Sequence, residues 1–229
     1  MKNGNARSKP ALGRNLPTAS ALALALALTG ALAQSAHAGH ITVPRVPDTV
    51  AVDTDNKAFL VGHAVGTQNY SCLPAGFDAA GNPLFAWTLF TPEATLFNDD
   101  FKEIITHYFG PNLSPNALET SPKPEFAEGP IRATWQYALD GSTVWAKATG
   151  TSTDAAFVKL GAVAWVRLAV VGSEDGPTGG DKLTATTFVQ RLNTDGGSAP
   201  KTGCASFADI GQQAFVPYTA DYFFYTKAD

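Results

Sequence analysis

Short apolar runs separated by turns rich in Gly, Pro and Asp cover most of the chain, and they predict β-strands rather than helices. The clearest alternation lies in residues 216–225, where Pro217 is expected to mark an edge or a bulge. One side of that strand carries Val216, Tyr218, Ala220, Tyr222 and Phe224. Further strands are predicted at residues 58–65, 67–72, 84–91, 131–139, 142–149, 162–171 and 183–192. The pattern therefore predicts an all-β fold, a β-sandwich or a barrel-like domain, with at most one short helix and long loops rich in Pro and Gly.

One pair of strands is predicted to form a tight hairpin. Asp140 and Gly141 separate two apolar runs, and such a pair favours a two-residue turn because both residues tolerate positive φ. A two-residue loop places Trp135 opposite Ala146, with Trp145 on the other face.

The only helical spacing in the domain lies near residue 104. The apolar positions i, i+3, i+4 and i+7 of this stretch are Phe101, Ile104, Ile105 and Tyr108. Asp99 or Asp100 is available as an N-cap. Residues 104–108 fit a strand equally well, so both interpretations are carried forward.

The first 38 residues have the composition of an export signal. Residues 21–28 alternate Ala and Leu, and small residues precede two candidate cleavage sites, after Ala33 and after Ala38. The basic residues before this run are Lys2, Arg7, Lys9 and Arg14. The apolar run is too short for a membrane span. We expect a signal peptide at residues 1–38, cleavage after Ala38, and a single β-rich domain at residues 39–229 of a secreted or periplasmic protein.

Removing the leader changes the charge of the product. The leader holds four of the 16 Lys and Arg and none of the 20 Asp and Glu, so the net charge moves from −4 to −8. An acidic chain lacks the basic surface that nucleic acids require. No second apolar segment of membrane length follows, and we expect neither a nucleic-acid partner nor a membrane span in the mature chain.

Two cysteines remain in the exported chain, Cys72 and Cys204. Neither lies in a spacing typical of a metal site or a redox motif. An even number of cysteines in an oxidising compartment predicts one intramolecular disulfide that ties the start of the domain to its last third.

Polar residues gathered near one segment suggest an acid–base or metal-dependent enzyme. If residues 100–108 are helical, Glu103 and His107 share a face, and Glu93 and Arg132 are candidates to join them. No third metal ligand has a diagnostic spacing, and the chain lacks both a serine nucleophile elbow and a phosphate-binding loop. The enzyme hypothesis, metal-dependent or acid–base, therefore rests on Glu93, Glu103 and His107. The sequence shows no complete catalytic motif for it, and we assign it no metal ligands and no cofactor.

The absence of a complete motif favours a binding or interaction protein of the periplasm or cell envelope. Carbohydrate or envelope material is the ligand expected, and aromatic and polar residues are expected to form its binding surface. The candidate binding residues are Glu93, His107, Arg132 and Trp145, with Tyr137 and the loop at residues 111–130 as further surface.

Several ordered strings resemble a family of secreted bacterial and fungal proteins catalogued as a domain of unknown function. They include TPEATL at 91–96, GPIRATWQ at 129–136, GPTGGD at 176–181, FVQRLNT at 188–194 and VPYTADYFFY at 216–225. The resemblance runs from about Val43 to the end and implies export and both cysteine positions, but no activity. Some fungal members are labelled malate dehydrogenase. The chain has no dinucleotide-binding motif and no βαβ pattern, so that activity is not expected here.

Overall fold

Eight antiparallel strands close into a barrel in which every strand pairs with its neighbours in sequence and the last pairs with the first. The computed structural model describes residues 41–114 and 129–228. The strands are β1 (Asn56–Phe77), β2 (Pro83–Phe97), β3 (Glu103–Pro111), β4 (Ile131–Tyr137), β5 (Thr143–Ser152), β6 (Trp165–Glu174), β7 (Phe188–Gly196) and β8 (Gln213–Lys227). Short 3-10 turns lie at Asp48–Val50 and Phe207–Asp209. The all-β prediction is confirmed, and of its two alternatives the barrel is observed. The leader predicted at 1–38 and most of the 111–130 loop lie outside the described residues.

The helix predicted near residue 104 is wrong, and the strand alternative is correct. β3 pairs with β2 on one side and β4 on the other, which satisfies its backbone groups. The preceding turn places Phe101 at φ 59° with its ring exposed. A register shift between Leu96 and Phe97 lets Ile104 and Ile105 both be buried. Two adjacent buried residues at this bulge produced the helical spacing in the sequence.

The hairpin at Asp140 and Gly141 forms, but with a longer loop than predicted. Trp135 lies opposite Val144, and the amide of Tyr137 donates to the Ser142 carbonyl at 2.9 Å. The Asp140 carboxylate accepts the Ser142 amide at 2.8 Å, and this contact stabilises a wider turn. Because the register moved by two residues, each side chain stays on its predicted face.

The interior of the barrel is filled from alternate positions of the strands. The predicted inward side of β8 is confirmed, since Tyr218, Ala220, Tyr222 and Phe224 all belong to the interior cluster. Pro217 lies one residue beyond the β7–β8 ladder, which ends at the pair of Gly196 and Tyr218. The missing proline N–H therefore costs no bond on that side.

A second apolar layer lies on the outside of the barrel. It consists of Val158, Trp165, Leu192, Phe223 and Tyr225, packed against Ile41, Val43, Val46 and Val52 of the N-terminal segment. Arg167 donates to the Ala51 carbonyl at 2.6 Å, and Gln190 donates to the Val50 carbonyl, so polar contacts hold the segment in place. This layer buries the second face of β6 and β8, which explains their nearly continuous apolar runs.

The two ends of the barrel differ in whether side chains fill the interior. At the end where β5 begins, Leu183 from the β6–β7 loop is fully buried in the interior cluster, and its amide donates to the Ser142 hydroxyl at 3.1 Å. We call this the closed end. The strand predicted at 183–192 begins only at Phe188, because residue 183 serves as this plug.

At the other end, which we call the open end, β1 and β2 continue beyond the barrel as a long hairpin. The β7–β8 loop packs on it through the predicted disulfide between Cys72 and Cys204, which is confirmed. Trp87 donates to the Thr202 carbonyl at 2.9 Å, and the rings of Phe85 and Phe207 meet edge to face. The disulfide, which spans 132 residues of sequence, therefore fixes one wall of the open end. Among the described residues, no helix is long and apolar enough to cross a membrane.

Candidate functional site

A cavity of about 320 Å³ occupies the half of the barrel interior nearest the open end. All eight strands contribute to its lining. The lining residues are Gln68, Leu89, Pro92, His107, Phe109, Ile131, Arg132, Ala133, Trp135, Ala146, Ala148, Val166, Leu168, Arg191 and Tyr222. Ile131 and Ala148 are exposed, so the cavity reaches the surface. Eight strands enclose just enough space for one small ligand when side chains do not fill it.

The β4–β5 ladder is short beside this cavity. It ends at the pair of Ala133 and Ala146, although β5 continues to Ser152. Small side chains at this point leave space on the inside of the wall. The combination of a short ladder and small residues is what keeps the open half of the barrel from being packed.

An aromatic stack lies deep in the cavity. The rings of His107 and Trp135 are 4.4 Å apart between centroids and lie within 6° of parallel. Tyr222 contacts both rings, and its hydroxyl lies 3.2 Å from that of Tyr218. The stack offers a flat apolar surface on which a ligand ring can lie.

His107 is neutral in this setting. Its Nδ1 donates to the Thr134 carbonyl at 2.8 Å, which places the proton on that nitrogen and leaves Nε2 as an acceptor. Burial lowers the pKa of His107 to about 3, and the positive charge of Arg191 acts in the same direction. A neutral histidine in a stack packs as an aromatic ring with one polar edge.

Arg191 brings a positive charge into the barrel interior. Its Nε and Nη2 both donate to the Ala164 carbonyl, at 3.3 and 3.0 Å. No carboxylate of residues 41–114 or 129–228 forms an ion pair with it. A partly buried cation without a counter-ion is costly, so its position in a largely apolar cavity calls for an explanation.

Two further groups in the cavity wall lack hydrogen-bond partners. Among the described residues, neither the side-chain Nε2 of Gln68 nor the indole Nε1 of Trp135 has a partner within 3.5 Å, although the Gln68 amide acts on the Tyr218 hydroxyl. Both atoms are donors. Buried Asn69 and Trp165 also carry unpartnered atoms but lie outside the cavity lining, so it is their position in the cavity wall that makes Gln68 and Trp135 candidate ligand donors.

The structure brings together two of the four candidate binding residues. His107 lies deep in the cavity, and Arg132 lies at its rim, with Nη1 donating to the Ile131 carbonyl at 2.9 Å. Glu93 is exposed on the barrel exterior and does not line the cavity. Trp145 is buried on the outward face of β5, opposite Gly172, and is also not part of the lining.

The residues of the enzyme hypothesis do not converge. Glu93 and Glu103 are exposed, whereas the His107 side chain is buried inside the barrel. The shared face expected for Glu103 and His107 depended on the helix that does not form. Within the described residues, no group of three or more His, Cys, Asp and Glu side chains is placed to hold a metal ion.

A separate polar cluster lies on the outer surface. Nδ1 of His63 lies 2.7 Å from Asp221 Oδ1, and its Nε2 lies 2.9 Å from Asp99 Oδ1. Asn193 donates to the other oxygen of Asp221 at 2.7 Å. Burial lowers the pKa of His63, but its hydrogen bonds to the two carboxylates outweigh that effect and the pKa is raised. The cluster joins β1, β8 and the β2–β3 turn.

Sequence reasoning missed Arg191 and Gln68. Both sit in strands of mixed composition, where one polar residue among apolar ones is common. The available indication was that Arg191 alternates with Val189 on the inward face of β7. Only the barrel shows that this face is the interior rather than the surface.

The fold and cavity define a class: an antiparallel eight-stranded barrel, plugged at one end and hollow toward the other. Residues 53–226 match the family described as "Protein of unknown function (DUF3455)", and the chain belongs to that family. No curated protein and no solved structure is detectably similar to it.

Proposed function

We propose that this protein is an exported binding protein that holds one small, largely apolar molecule inside its barrel. The observation that carries the proposal is the cavity, which combines an apolar lining with buried, unpartnered donors. Ligand sites in proteins are typically concave and apolar with a few polar groups that set orientation. The leader at residues 1–38 supports export, and the periplasm or cell envelope is the proposed location.

The cavity favours an apolar ligand over carbohydrate. A sugar needs a hydrogen-bonding partner for most of its hydroxyls, whereas Leu89, Phe109, Val166 and Leu168 supply none. Binding of carbohydrate or envelope material on the outer surface stays a prediction from the sequence. The experiment below distinguishes it from binding of an apolar ligand in the cavity.

The test uses the uncharged fluorescent dye N-phenylnaphthylamine with the purified mature protein. We expect enhanced dye emission with one saturable site. Ala148→Phe, at the exposed rim of the cavity, is expected to weaken dye binding by about tenfold or more because the ring occupies the entrance. Ala86→Phe is the matched control, since Ala86 is also an exposed strand alanine but does not line the cavity.

Equal weakening by both variants, or no saturable site, would contradict the proposal. Binding of soluble oligosaccharides that is unaffected by Ala148→Phe would instead favour a surface carbohydrate site.

A further inference from the structure

The cavity also indicates the chemical class of its ligand. We propose that it binds an apolar carboxylate, with the carboxylate paired to Arg191 and the apolar body on the His107–Trp135 stack. This inference rests on the proposed binding function and specifies the charge and shape of the ligand.

Arg191 brings a positive charge and free donor capacity into the cavity. The guanidinium has five N–H donors, and its hydrogen bonds from Nε and Nη2 both go to one backbone carbonyl, that of Ala164. Remaining donor capacity in a partly buried position suits an oxyanion, because guanidinium and carboxylate match in a two-pronged geometry.

The charges of the side chains that line the cavity also favour an anionic ligand. No Asp or Glu side chain lines the cavity within the described residues. The other titratable groups of the lining are Arg132 at the rim, which is also positive, the neutral His107, and the phenol of Tyr222. The interior is therefore positive and lacks a counter-ion, and an anionic ligand supplies one.

Two other polar side chains of the cavity wall also present hydrogen-bond donors. The unpartnered atoms of Gln68 and Trp135 are both N–H donors, like the guanidinium. A ligand with donors alone would leave all three unsatisfied and would find one acceptor nitrogen in the stack, Nε2 of His107. A carboxylate brings two oxygens and about four acceptor positions, which suits this set.

The size and shape of the cavity limit the body of the ligand. A cavity of 320 Å³ holds the liquid volume of about ten water molecules. That space suits a fused aromatic or short aliphatic acid rather than a long lipid chain. The parallel rings of His107 and Trp135 favour a flat body.

The experiment compares naphthoate with naphthylmethanol, a neutral molecule of nearly the same shape, as competitors of the bound dye at neutral pH. We expect naphthoate to displace the dye at a concentration about tenfold or more lower than the alcohol does, because a desolvated charge pair contributes to the acid alone. Arg191→Gln is expected to remove this preference, measured as the ratio of the concentrations at which the alcohol and the acid displace the dye. Arg45→Gln, which removes an exposed arginine outside the cavity, is the charge-matched control and is expected to keep the preference.

The outcomes separate the two proposals. If the dye binds but the wild-type protein does not prefer the acid, the ligand class is wrong and the binding function stands. If the preference persists in Arg191→Gln, the assignment of Arg191 is wrong. If the dye does not bind at all, the proposed function itself fails. The wild-type comparison of acid with alcohol decides the matter even where Arg191→Gln does not fold, and Arg191→Lys, which keeps the charge, then tests the residue.

Discussion

The two ends of the same barrel interior are built for different purposes. At the closed end, Leu96, Ile105, Val144 and Phe224 pack around Leu183 with essentially no exposure. At the open end, alanines replace large residues, and a cation and unpartnered donors face the space that remains. The comparison teaches that packing is concentrated at one end of the interior and leaves at the other end the space in which we propose that a ligand binds.

The largest expected effect on stability comes from removing the disulfide at the open end. Replacing Cys72 and Cys204 by Ser removes a constraint on 132 residues, which in the chain-entropy model is worth at most about 5 kcal/mol of unfolding free energy. We expect a loss of about 3–5 kcal/mol, measured by urea unfolding, together with weaker dye binding because the wall of the cavity loosens. Unchanged stability would show that the β7–β8 loop is held by its other contacts.

The next effect tests the packing contrast directly. Leu183→Ala at the closed end is expected to cost about 2–5 kcal/mol of unfolding free energy, because it leaves a cavity in a filled core. Leu89→Ala, which enlarges a cavity that already exists, is expected to cost about 1 kcal/mol or less. Leu160 is fully exposed, so Leu160→Ala serves as the control for lost side-chain volume. Similar losses at residues 183 and 89 would break the distinction between the two ends.

A smaller effect depends on pH. The unfolded chain titrates His107 near 6.5, whereas the folded protein holds its pKa at about 3. Between these values the unfolded state binds the extra proton, so stability falls as pH decreases, by up to about 1.4 kcal/mol per pH unit. His107→Gln is expected to remove this part of the pH dependence between about pH 6.5 and 4, as followed by denaturant unfolding at each pH. Parallel curves for the two proteins would show that His107 protonates without penalty.

The smallest effect has the opposite sign and lies on the outer surface. The pKa of His63 is raised in the folded protein, so its contribution to stability is present below pH 6.5 and is lost as pH increases through the folded value. Because the side chain is 44% exposed, solvent screening keeps the effect small. We expect His63→Gln to cost less than about 1 kcal/mol in mildly acid solution and nothing in alkaline solution. A loss that grows with pH would contradict this sign.

Much of the fold could be predicted because its patterns are local. Alternation identified the inward side of β8, and the parity of Cys72 and Cys204 predicted the disulfide. Local reasoning failed at residues 101–108, where a bulge buried two adjacent isoleucines and imitated helical spacing. It also missed the Asp140 side chain, which widened the hairpin turn.

The candidate site was predictable only in part. His107 and Arg132 were named from the sequence and reach one cavity, but Glu93 and Trp145 do not. The reason is that alternation assigns residues to faces without saying which face encloses space. An outward-facing tryptophan can still be buried, as Trp145 is, and an inward-facing arginine has the same sequence pattern as a surface residue.

What the sequence by itself determined is the all-β class, the inward side of β8 and the pairing of the cysteines, because these depend on near neighbours or on parity. The tertiary structure alone decided that residues 58–65 and 67–72, predicted as two strands, form the single strand β1, that the sheet closes, that Leu183 plugs one end, and that Arg191 lines the same cavity as Gln68 and Trp135. Those residues lie on β7, β1 and β4, far apart along the chain. Only closure of the barrel brings them to one cavity, and the excess of Asp and Glu over Lys and Arg in the sequence gave no indication of a positive interior.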